Sequence, residues 1–268
     1  KEIQAIDDFT NAIKLGAQNY DVYYERGLLY VITGDYDKAL EDYSKSVSLN
    51  PNADVYYKMG VLRSKVGKEE DAIEDFSKAI NLDSAKGYYY YFRGNSQLRL
   101  GRYGEALYDM DKSIDFDSID YYQFYKRGIV YHHLNKFDDA IENFSKCLRL
   151  NPNFPLCYYN RAAAYKSSGE YFLAIQDFDK CLKLDPKNLD AYLSRGITYE
   201  YLSKYKEAER DYSSYIELNP NNYSVYLRRG DARFYLQDFK DAIDDYNVVI
   251  KSNPKIALVY FNRGMAKY

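Results

Sequence analysis

Residues 87–94 read GYYYYFRG, and this stretch carries the pattern that decides the fold. Within it, Tyr90, Arg93 and Gly94 form the sequence aromatic-x-x-Arg-Gly. The pattern returns along the chain with a small residue at its end, at Gly27, Gly60, Gly94, Gly128, Ala162, Gly196, Gly230 and Gly264. These small residues are 33 residues apart once and 34 residues apart six times. Such regularity predicts an array of structural repeats.

A second set of residues follows the same period and indicates two helices in each repeat. An aromatic residue or Met stands four places after a recurring alanine, at Ala39, Ala72, Ala106, Ala140, Ala174, Ala208 and Ala242. In the first half of a repeat, residues such as Tyr192, Gly196 and Tyr199 are spaced as on one helix face. A break such as that at Gly34 and Asp35 then precedes a second amphipathic helix. Pro closes most repeats, because it cannot continue a helix.

These residues resemble the tetratricopeptide repeat (TPR), a helix-turn-helix unit of 34 residues. The resemblance covers the whole chain and implies an all-α fold, a right-handed α-solenoid of antiparallel helix pairs (the TPR superhelix). We expect a single solenoid over residues 1–268 with full repeats at 20–52, 53–86, 87–120, 121–154, 155–188, 189–222 and 223–256. Residues 1–19 should be the second helix of a truncated repeat, and residues 257–268 the first helix of another. We therefore expect a fragment of a longer array.

The composition of the 268 residues argues against several classes of protein. Hydrophobic residues make up 46% and charged residues 29%, as in folded domains. The net charge of −3 gives no electrostatic reason for general nucleic-acid binding. No apolar run approaches the length of a membrane span, and residues 1–14 do not resemble a signal peptide. Cys147, Cys157 and Cys181 lack metal-binding spacing, and so few cysteines predict an intracellular, cytoplasmic location.

An Arg and an Asp recur together and predict structural ion pairs. The Arg precedes the small residue of each repeat, and the Asp precedes the aromatic residue of the second helix. The predicted ladder contains Arg26, Asp42, Arg93, Asp109, Arg127, Arg161, Asp177, Arg195, Asp211, Arg229 and Asp245. Pairing within a repeat and pairing between repeats both fit this spacing. Met59 replaces Arg in the second repeat, so Asp75 needs another donor, for which Arg63 is the first candidate.

The resemblance also implies where a partner would bind. In tetratricopeptide arrays the first helices line a concave groove, and places two, five, six, nine, twelve and thirteen of each repeat face it. In repeats two to five, these places carry aromatic and basic residues. The predicted peptide-binding groove contains Tyr57, Tyr88, Tyr91, Phe92, Asn95, Arg99, Tyr122, Tyr125, Lys126, His133, Tyr159 and Lys166. Tyr90 should instead be a core residue, and Tyr89 should pack against a neighbouring repeat.

These groove residues predict a non-catalytic scaffold that binds a peptide segment with acidic and apolar or aromatic anchors. Large aromatic side chains and Arg dominate interface energetics, and Arg99 and Lys126 would attract acidic side chains. Two alternatives remain open: single-stranded RNA could bind a basic, aromatic groove, or the chain could be an architectural spacer that packs through its convex face. The acidic net charge disfavours RNA.

One known partner class of the family is not expected. Arrays that clamp the acidic C-terminal tail of heat-shock chaperones carry Lys at the fifth place of their first repeat, with further Asn, Lys and Arg residues at set places. No fifth place of this sequence is Lys, and Asn95 is a lone match at the ninth. The partner is therefore expected to be a protein or peptide of another kind.

Nothing in the sequence is typical of catalysis. His132 and His133 are the only histidines, and adjacent residues of a helix point roughly 100° apart, which makes a poor pair of metal ligands. A Gly-rich phosphate loop and a nucleophile with its base are both missing from the sequence. We therefore expect no enzymatic activity, no cofactor and no metal.

Overall fold

The computed structural model describes residues 1–116 and 120–268, and the secondary structure of this part consists of helices without strands. The helices have 11 to 14 residues each. They are α1 (Glu2–Lys14), α2 (Tyr20–Thr33), α3 (Tyr36–Leu49), α4 (Ala53–Lys65), α5 (Glu69–Leu82), α6 (Gly87–Arg99), α7 (Tyr103–Phe116), α8 (Tyr121–His133), α9 (Phe137–Leu150), α10 (Pro155–Ser168), α11 (Tyr171–Leu184), α12 (Leu189–Tyr201), α13 (Tyr205–Leu218), α14 (Tyr223–Tyr235), α15 (Phe239–Ser252) and α16 (Ala257–Lys267).

The chain forms two compact units, an N-terminal unit of residues 1–134 and a C-terminal unit of residues 135–268. In the N-terminal unit, which contains α1 to α8, each helix packs against the next helix in the chain. In the C-terminal unit, α9 to α16 pack in the same way. Contacts that stay local along the chain are the mark of a solenoid built from helix pairs, and they confirm the predicted all-α fold class. The division into seven complete repeats with a half repeat at each end stays a prediction.

The turn between the two helices of a pair contains one residue with a left-handed backbone. In the pairs that lie within one unit this residue is Gly34, Gly67, Gly101, Gly169, Ser203 or Gln237, and Asn135 at the start of the C-terminal unit has the same backbone, with φ between 55° and 87° for all seven. Gly adopts this conformation without steric cost, and Asn tolerates it better than most residues. The position closes the first helix and lets the second run back along it, as at Gly34, whose amide donates to the carbonyl of Val31 at 3.2 Å.

The core of each helix pair is built by the small residues and the aromatic residues that recur in the sequence. The seven recurring alanines have no exposed surface, and Phe76, Phe144, Phe178 and Tyr212 are equally buried. Gly196 shows why a small residue is needed, because a Cβ atom at this position would lie 2.6 Å from the ring of Tyr212. At Gly27, Gly60, Gly196 and Gly230 the two helices of a pair therefore touch through a backbone on one side and a ring on the other.

Candidate functional site

Five arginines of the predicted ladder bind the Asp that stands 16 residues later in the chain. The contacts are bidentate, with N–O distances of 2.6 to 3.0 Å, in the pairs Arg26–Asp42, Arg93–Asp109, Arg161–Asp177, Arg195–Asp211 and Arg229–Asp245. Each pair joins the two helices of one repeat. Burial raises the pKa of Asp109 and Asp211 although the neighbouring guanidinium opposes this rise. The pairs therefore orient the helices more than they add net stability.

The same guanidinium groups also contact the preceding repeat, which was not predicted from the sequence. A hydroxyl 16 residues earlier accepts a hydrogen bond at 2.9 to 3.1 Å from Nη1 of the Arg, at Thr10, Ser77, Ser145 and Ser213. Arg127, whose repeat carries Asn143 at the Asp place, donates to Asp111 at 2.8 Å, and Arg195 donates to Asp179. The available signal was a short polar residue directly after the second-helix aromatic or Met. Three consecutive helices are thus linked by each of Arg26, Arg93, Arg161, Arg195 and Arg229.

The second repeat completes its ion pair only in part. Arg63 replaces the missing donor and places Nη1 2.9 Å from Oδ2 of Asp75, but the angle is not that of a hydrogen bond. Neither carboxylate oxygen of Asp75 receives a hydrogen bond within residues 1–116 and 120–268, although the side chain is 1% exposed. Burial raises the pKa of Asp75 to about 6. This repeat therefore contains a carboxylate that is costly to keep charged.

The aromatic run at residues 87–94 is divided between the core and the surface. Tyr90 is buried and stacks on Phe116 with ring centroids 5.6 Å apart. Tyr88 and Tyr89 both donate their hydroxyl hydrogens to Oδ1 of Asp54, at 3.1 Å and 2.6 Å. The carboxylate of Asp54 is thus already bound by two phenols of the next repeat.

Two adjacent pockets of the N-terminal unit bring together part of the predicted groove. Their volumes are about 340 Å³ and about 440 Å³, and they share Val61 and Lys65. The residues that line them, called here the N-terminal groove, are Leu28, Val31, Tyr43, Tyr57, Lys58, Val61, Leu62, Ser64, Lys65, Tyr91, Phe92, Asn95, Arg99, Tyr122 and Lys126. Six residues predicted for the peptide site therefore line the larger pocket, and Tyr57 lines the smaller one. Tyr88 lies beside them, with its ring 5.0 Å from that of Tyr57.

The basic side chains of this groove differ in how far they are already engaged. Nη1 of Arg99 lies 2.6 Å from Oε1 of the buried Glu69 and 2.8 Å from Oγ of Ser64. Lys126 lies over the ring of Tyr122, 5.3 Å from its centroid, and pairs with no carboxylate of the described residues. Burial, reinforced by Arg99, lowers the pKa of Lys126. Lys126 is thus the desolvated cation of the larger pocket, and the charge of Arg99 is largely balanced.

Two residues predicted for the groove have other surroundings. Tyr125 is buried, with 7% of its surface exposed, so it offers little area to a ligand. His133 is exposed, but its ring stacks on Tyr103 with centroids 4.7 Å apart and planes at 4°.

Asn95 lines the larger pocket while its side-chain amide donates to the carbonyl of Tyr91 at 2.9 Å.

The contact of His133 belongs to a second ladder, which the sequence reasoning missed. The residue at place thirteen of one repeat contacts the first residue of the second helix of the preceding repeat. The contacts are cation–π for Lys65 on Tyr36, ionic for Arg99 on Glu69, and ring stacking for His133 on Tyr103, Tyr201 on Tyr171 and Tyr235 on Tyr205. Place thirteen therefore joins neighbouring repeats, which is why its cations are less available than the sequence predicted.

The remaining predicted groove residues, Tyr159 and Lys166, lie on α10 in the C-terminal unit. The ring of Tyr159 packs against Phe178 with centroids 5.9 Å apart. Burial, together with Arg228, lowers the pKa of Lys166. In the same unit Arg228 pairs with Glu200 at 2.9 Å. The first helices of this unit thus carry both cations and carboxylates.

Several negative findings apply to residues 1–116 and 120–268. None of their helices combines the length and the apolar character needed to cross a membrane. In the same residues no three His, Cys, Asp or Glu side chains are grouped so that they could hold a metal ion. The three cysteines are buried thiols, and burial raises the pKa of Cys181 to about 11, so its reactive thiolate form is disfavoured.

Helix pairs of 34 residues joined by a repeated Arg contact define a class of helical repeat protein, and comparison with known families gives the particular one. Family models of the tetratricopeptide repeat match residues 20–52, 53–86, 121–154, 155–188, 189–222 and 224–255. The chain therefore belongs to the tetratricopeptide repeat family. Proteins of this family are generally non-catalytic scaffolds that bind proteins or peptides.

Solved structures of tetratricopeptide repeat proteins share the fold. The C-terminal part of a TPR repeat-containing protein from Cytophaga hutchinsonii is 21% identical, with a TM-score of 0.70, covering 84% of this chain and 93% of its own. A tetratricopeptide repeat protein from Parabacteroides merdae is 19% identical, with a TM-score of 0.68, and the match covers 94% of this chain and 100% of that one. YrrB, described as a TPR protein with an unusual peptide-binding site, is 24% identical, with a TM-score of 0.60 and coverage of 69% and 96%. No curated protein matches the sequence significantly.

Proposed function

We propose that this protein is a non-catalytic scaffold whose N-terminal groove binds a peptide segment with an acidic residue next to an apolar or aromatic anchor. The observation that carries the proposal is the larger pocket, in which Lys126 stands beside the rings of Tyr91, Phe92 and Tyr122. Peptide binding by YrrB, a protein of the same fold, supports the idea that such a surface can hold a peptide.

The chemistry of the pocket favours this type of ligand. Aromatic walls gain free energy by burying an apolar side chain, and the edge-to-face contacts of Phe92 with Tyr57 and Tyr91, at 5.3 Å and 5.4 Å, hold the walls in place. A desolvated ammonium group without a carboxylate partner gains most from an acid on the ligand. Lys126 is therefore the proposed acid-binding residue, and Arg99 contributes less because Glu69 already neutralises it.

A selection from random peptides tests the proposal and requires no natural partner. A display library of random dodecapeptides is selected on the immobilised protein and on its Lys126→Glu variant. We expect the wild-type protein to enrich peptides with Asp or Glu close to an aromatic or large aliphatic residue. The variant should lose the acidic preference and bind the wild-type consensus peptide about tenfold or more weakly in calorimetry, because it replaces attraction by repulsion.

The matched control is Lys45→Glu, the same charge reversal at an exposed position of α3 outside the groove residues. This variant should keep the wild-type consensus and affinity. Enrichment of the same acidic peptides by the Lys126→Glu variant would contradict the proposed acid-binding role. A selection without any consensus would instead favour the architectural spacer. The extension of the groove to Tyr159 and Lys166 stays a prediction that Tyr159→Ala would test in the same assay.

A further inference from the structure

A second pocket, in the C-terminal unit, occupies the same places of the repeat as the larger pocket of the N-terminal groove. Its volume is about 270 Å³. Val61, Ser64 and Lys65 of the N-terminal pocket correspond to Asp231, Phe234 and Tyr235, which stand 170 residues (five repeats of 34) later. By the same offset, Tyr91, Phe92 and Asn95 correspond to Phe261, Asn262 and Met265. These six places occur in both pockets and can be compared one by one, whereas the places of Arg99, Tyr122 and Lys126 have no counterpart among residues 1–268.

Over the six shared places, the net charge of the C-terminal pocket is opposite in sign to that of the N-terminal pocket. Where the N-terminal pocket has the apolar Val61, the C-terminal pocket has a carboxylate, Asp231. Where the N-terminal pocket has Lys65, the C-terminal one has Tyr235. Of the basic residues that line the first pocket, Lys65 is the one at a place that both pockets share, so among the shared places the first pocket carries a cation and the second a carboxylate.

The carboxylate of Asp231 is held in place by neutral donors. Its Oδ1 accepts hydrogen bonds from the hydroxyl of Tyr246 and the side-chain amide of Asn262, both at 2.9 Å. No Lys, Arg or His side chain of the described residues lies within 4.0 Å of it. Burial raises the pKa of Asp231, and Arg228, which pairs with Glu200, opposes this rise only in part.

Around this carboxylate the walls are aromatic or polarizable. Phe234, Tyr235 and Phe261 supply rings, and Met265 supplies a thioether. Rings attract a cation through their faces within about 6 Å, and the attraction grows when water is excluded. A neutral apolar ligand would fill the same walls but would leave the charge of Asp231 without a partner.

We propose that this pocket, lined by Asp231, Phe234, Tyr235, Phe261 and Met265, is a second binding site that takes a cationic side chain, Lys or Arg, of a partner protein. The carboxylate supplies the charge, and the rings supply cation–π and apolar contacts to the stem of the side chain. The inference does not rest on the N-terminal groove, because it concerns other residues in the other unit. Together the two sites would select segments of opposite charge.

The single pocket methionine makes the test direct. The chain has three methionines, of which Met265 lines the pocket, whereas Met59 and Met110 are buried in the N-terminal unit. Protein labelled with ¹³C at the methionine methyl groups is titrated with N-acetyl-lysine amide, N-acetyl-arginine amide, N-acetyl-norleucine amide and N-acetyl-glutamate amide. We expect a saturable shift of the Met265 signal with the two cationic probes only, and unchanged signals from Met59 and Met110.

Two variants test whether the carboxylate of Asp231 is responsible for the binding of the cationic probes. Asp231→Asn keeps an oxygen acceptor for Tyr246 and Asn262 but removes the charge. It should lower the affinity for the lysine and arginine probes about tenfold or more. Asp244→Asn, an exposed neighbour on α15 outside the pocket, should leave their affinity unchanged. Melting curves of both variants show whether they are folded.

The proposal is overturned if the norleucine probe binds as well as the lysine probe, because the pocket would then be an apolar site. Equal affinity of the cationic probes for the wild-type protein and the Asp231→Asn variant would also overturn it. The same holds if no cationic probe shifts Met265. The comparison of probes on the wild-type protein needs no variant, so a variant that fails to fold leaves the proposal testable. None of these outcomes depends on whether Lys126 binds an acidic peptide.

Discussion

At the scale of single residues, the ion pair of the repeat is incomplete at Asp75, and this has a measurable consequence. In five repeats an Arg binds the corresponding Asp with two hydrogen bonds, whereas Asp75 has only the ionic contact with Arg63. The carboxyl group of an unfolded Asp titrates near pH 3.9, and burial moves the pKa of Asp75 to about 6. Between these values the folded protein binds more protons than the unfolded chain. Asp75 therefore lowers the stability of the folded state as the pH rises from about 4 to about 6.

We predict that Asp75→Asn removes this loss of stability. The difference in unfolding free energy between the variant and the wild-type protein should grow by about 1–3 kcal/mol in favour of the variant as the pH rises from 4 to 7, because a neutral amide carries no charge to desolvate. Urea unfolding at pH 4, 5, 6 and 7 measures the difference. Asp244→Asn, at an exposed position of α15, is the control and should change stability by less than about 0.5 kcal/mol. Parallel stability curves for Asp75→Asn and the wild-type protein would contradict the prediction.

At the scale of helices, the close approach within each pair depends on what faces the small residue. A Cβ atom at Gly196 would lie 2.6 Å from the ring of Tyr212, whereas at Gly94 it would lie 3.1 Å from Cβ of Asp109 and 3.3 Å from Cε of Met110. At Gly94, where the backbone oxygen of Ala106 also lies 3.3 Å from the added atom, the neighbours need to shift by only a few tenths of an ångström, whereas the ring at Gly196 would have to shift further. The energetic cost of adding a Cβ atom therefore differs between two glycines at the same place of the repeat.

We predict that Gly196→Ala lowers the unfolding free energy by about 1–3 kcal/mol, the usual result of overpacking a core. Gly94→Ala should stay within about 1 kcal/mol of the wild-type protein, because the gain in helix propensity of about 1 kcal/mol offsets the tighter contact. Chemical denaturation of the two variants side by side provides the measurement. If Gly196→Ala proved as stable as Gly94→Ala, the ring of Tyr212 would not set the distance between α12 and α13.

At the scale of the whole molecule, charge distinguishes a peptide ligand from RNA. The chain has 37 basic and 40 acidic residues, and many of its arginines are engaged in ion pairs within the fold. Binding to single-stranded RNA requires several cations that can release counterions from phosphates. Because Arg99 is already paired with Glu69, one of the few cations of the N-terminal groove is less available to phosphates.

We predict that fluorescent oligo(U) and oligo(A) of about 15 nucleotides do not saturate the protein at concentrations up to about 100 µM in 150 mM salt, since even non-specific nucleic-acid binders reach about 10⁻⁴–10⁻⁶ M. Fluorescence anisotropy is the measurement, repeated at 50 mM salt. Saturable binding with a steep salt dependence and little preference for sequence would support the RNA alternative against the peptide scaffold.

The amino-acid sequence by itself determined the helix pairs, their small contact residues and the places of the Arg and Asp that meet at 2.6 to 3.0 Å. It could do so because these features belong to one repeat, and a constant period keeps each residue at the same position in its helix. Part of the candidate site was predictable for the same reason, since Tyr91, Phe92 and Lys126 do line one pocket.

Only the tertiary structure decided which of the predicted groove residues are already engaged. Arg99 binds Glu69, which stands 30 residues away, and Asp54 accepts hydrogen bonds from Tyr88 and Tyr89 of the next repeat. These contacts depend on which two side chains happen to face each other across neighbouring repeats, and the type of residue at these places changes from one repeat to the next. Periodicity predicts where a side chain stands, but packing against the neighbouring repeat decides whether it remains available to a ligand.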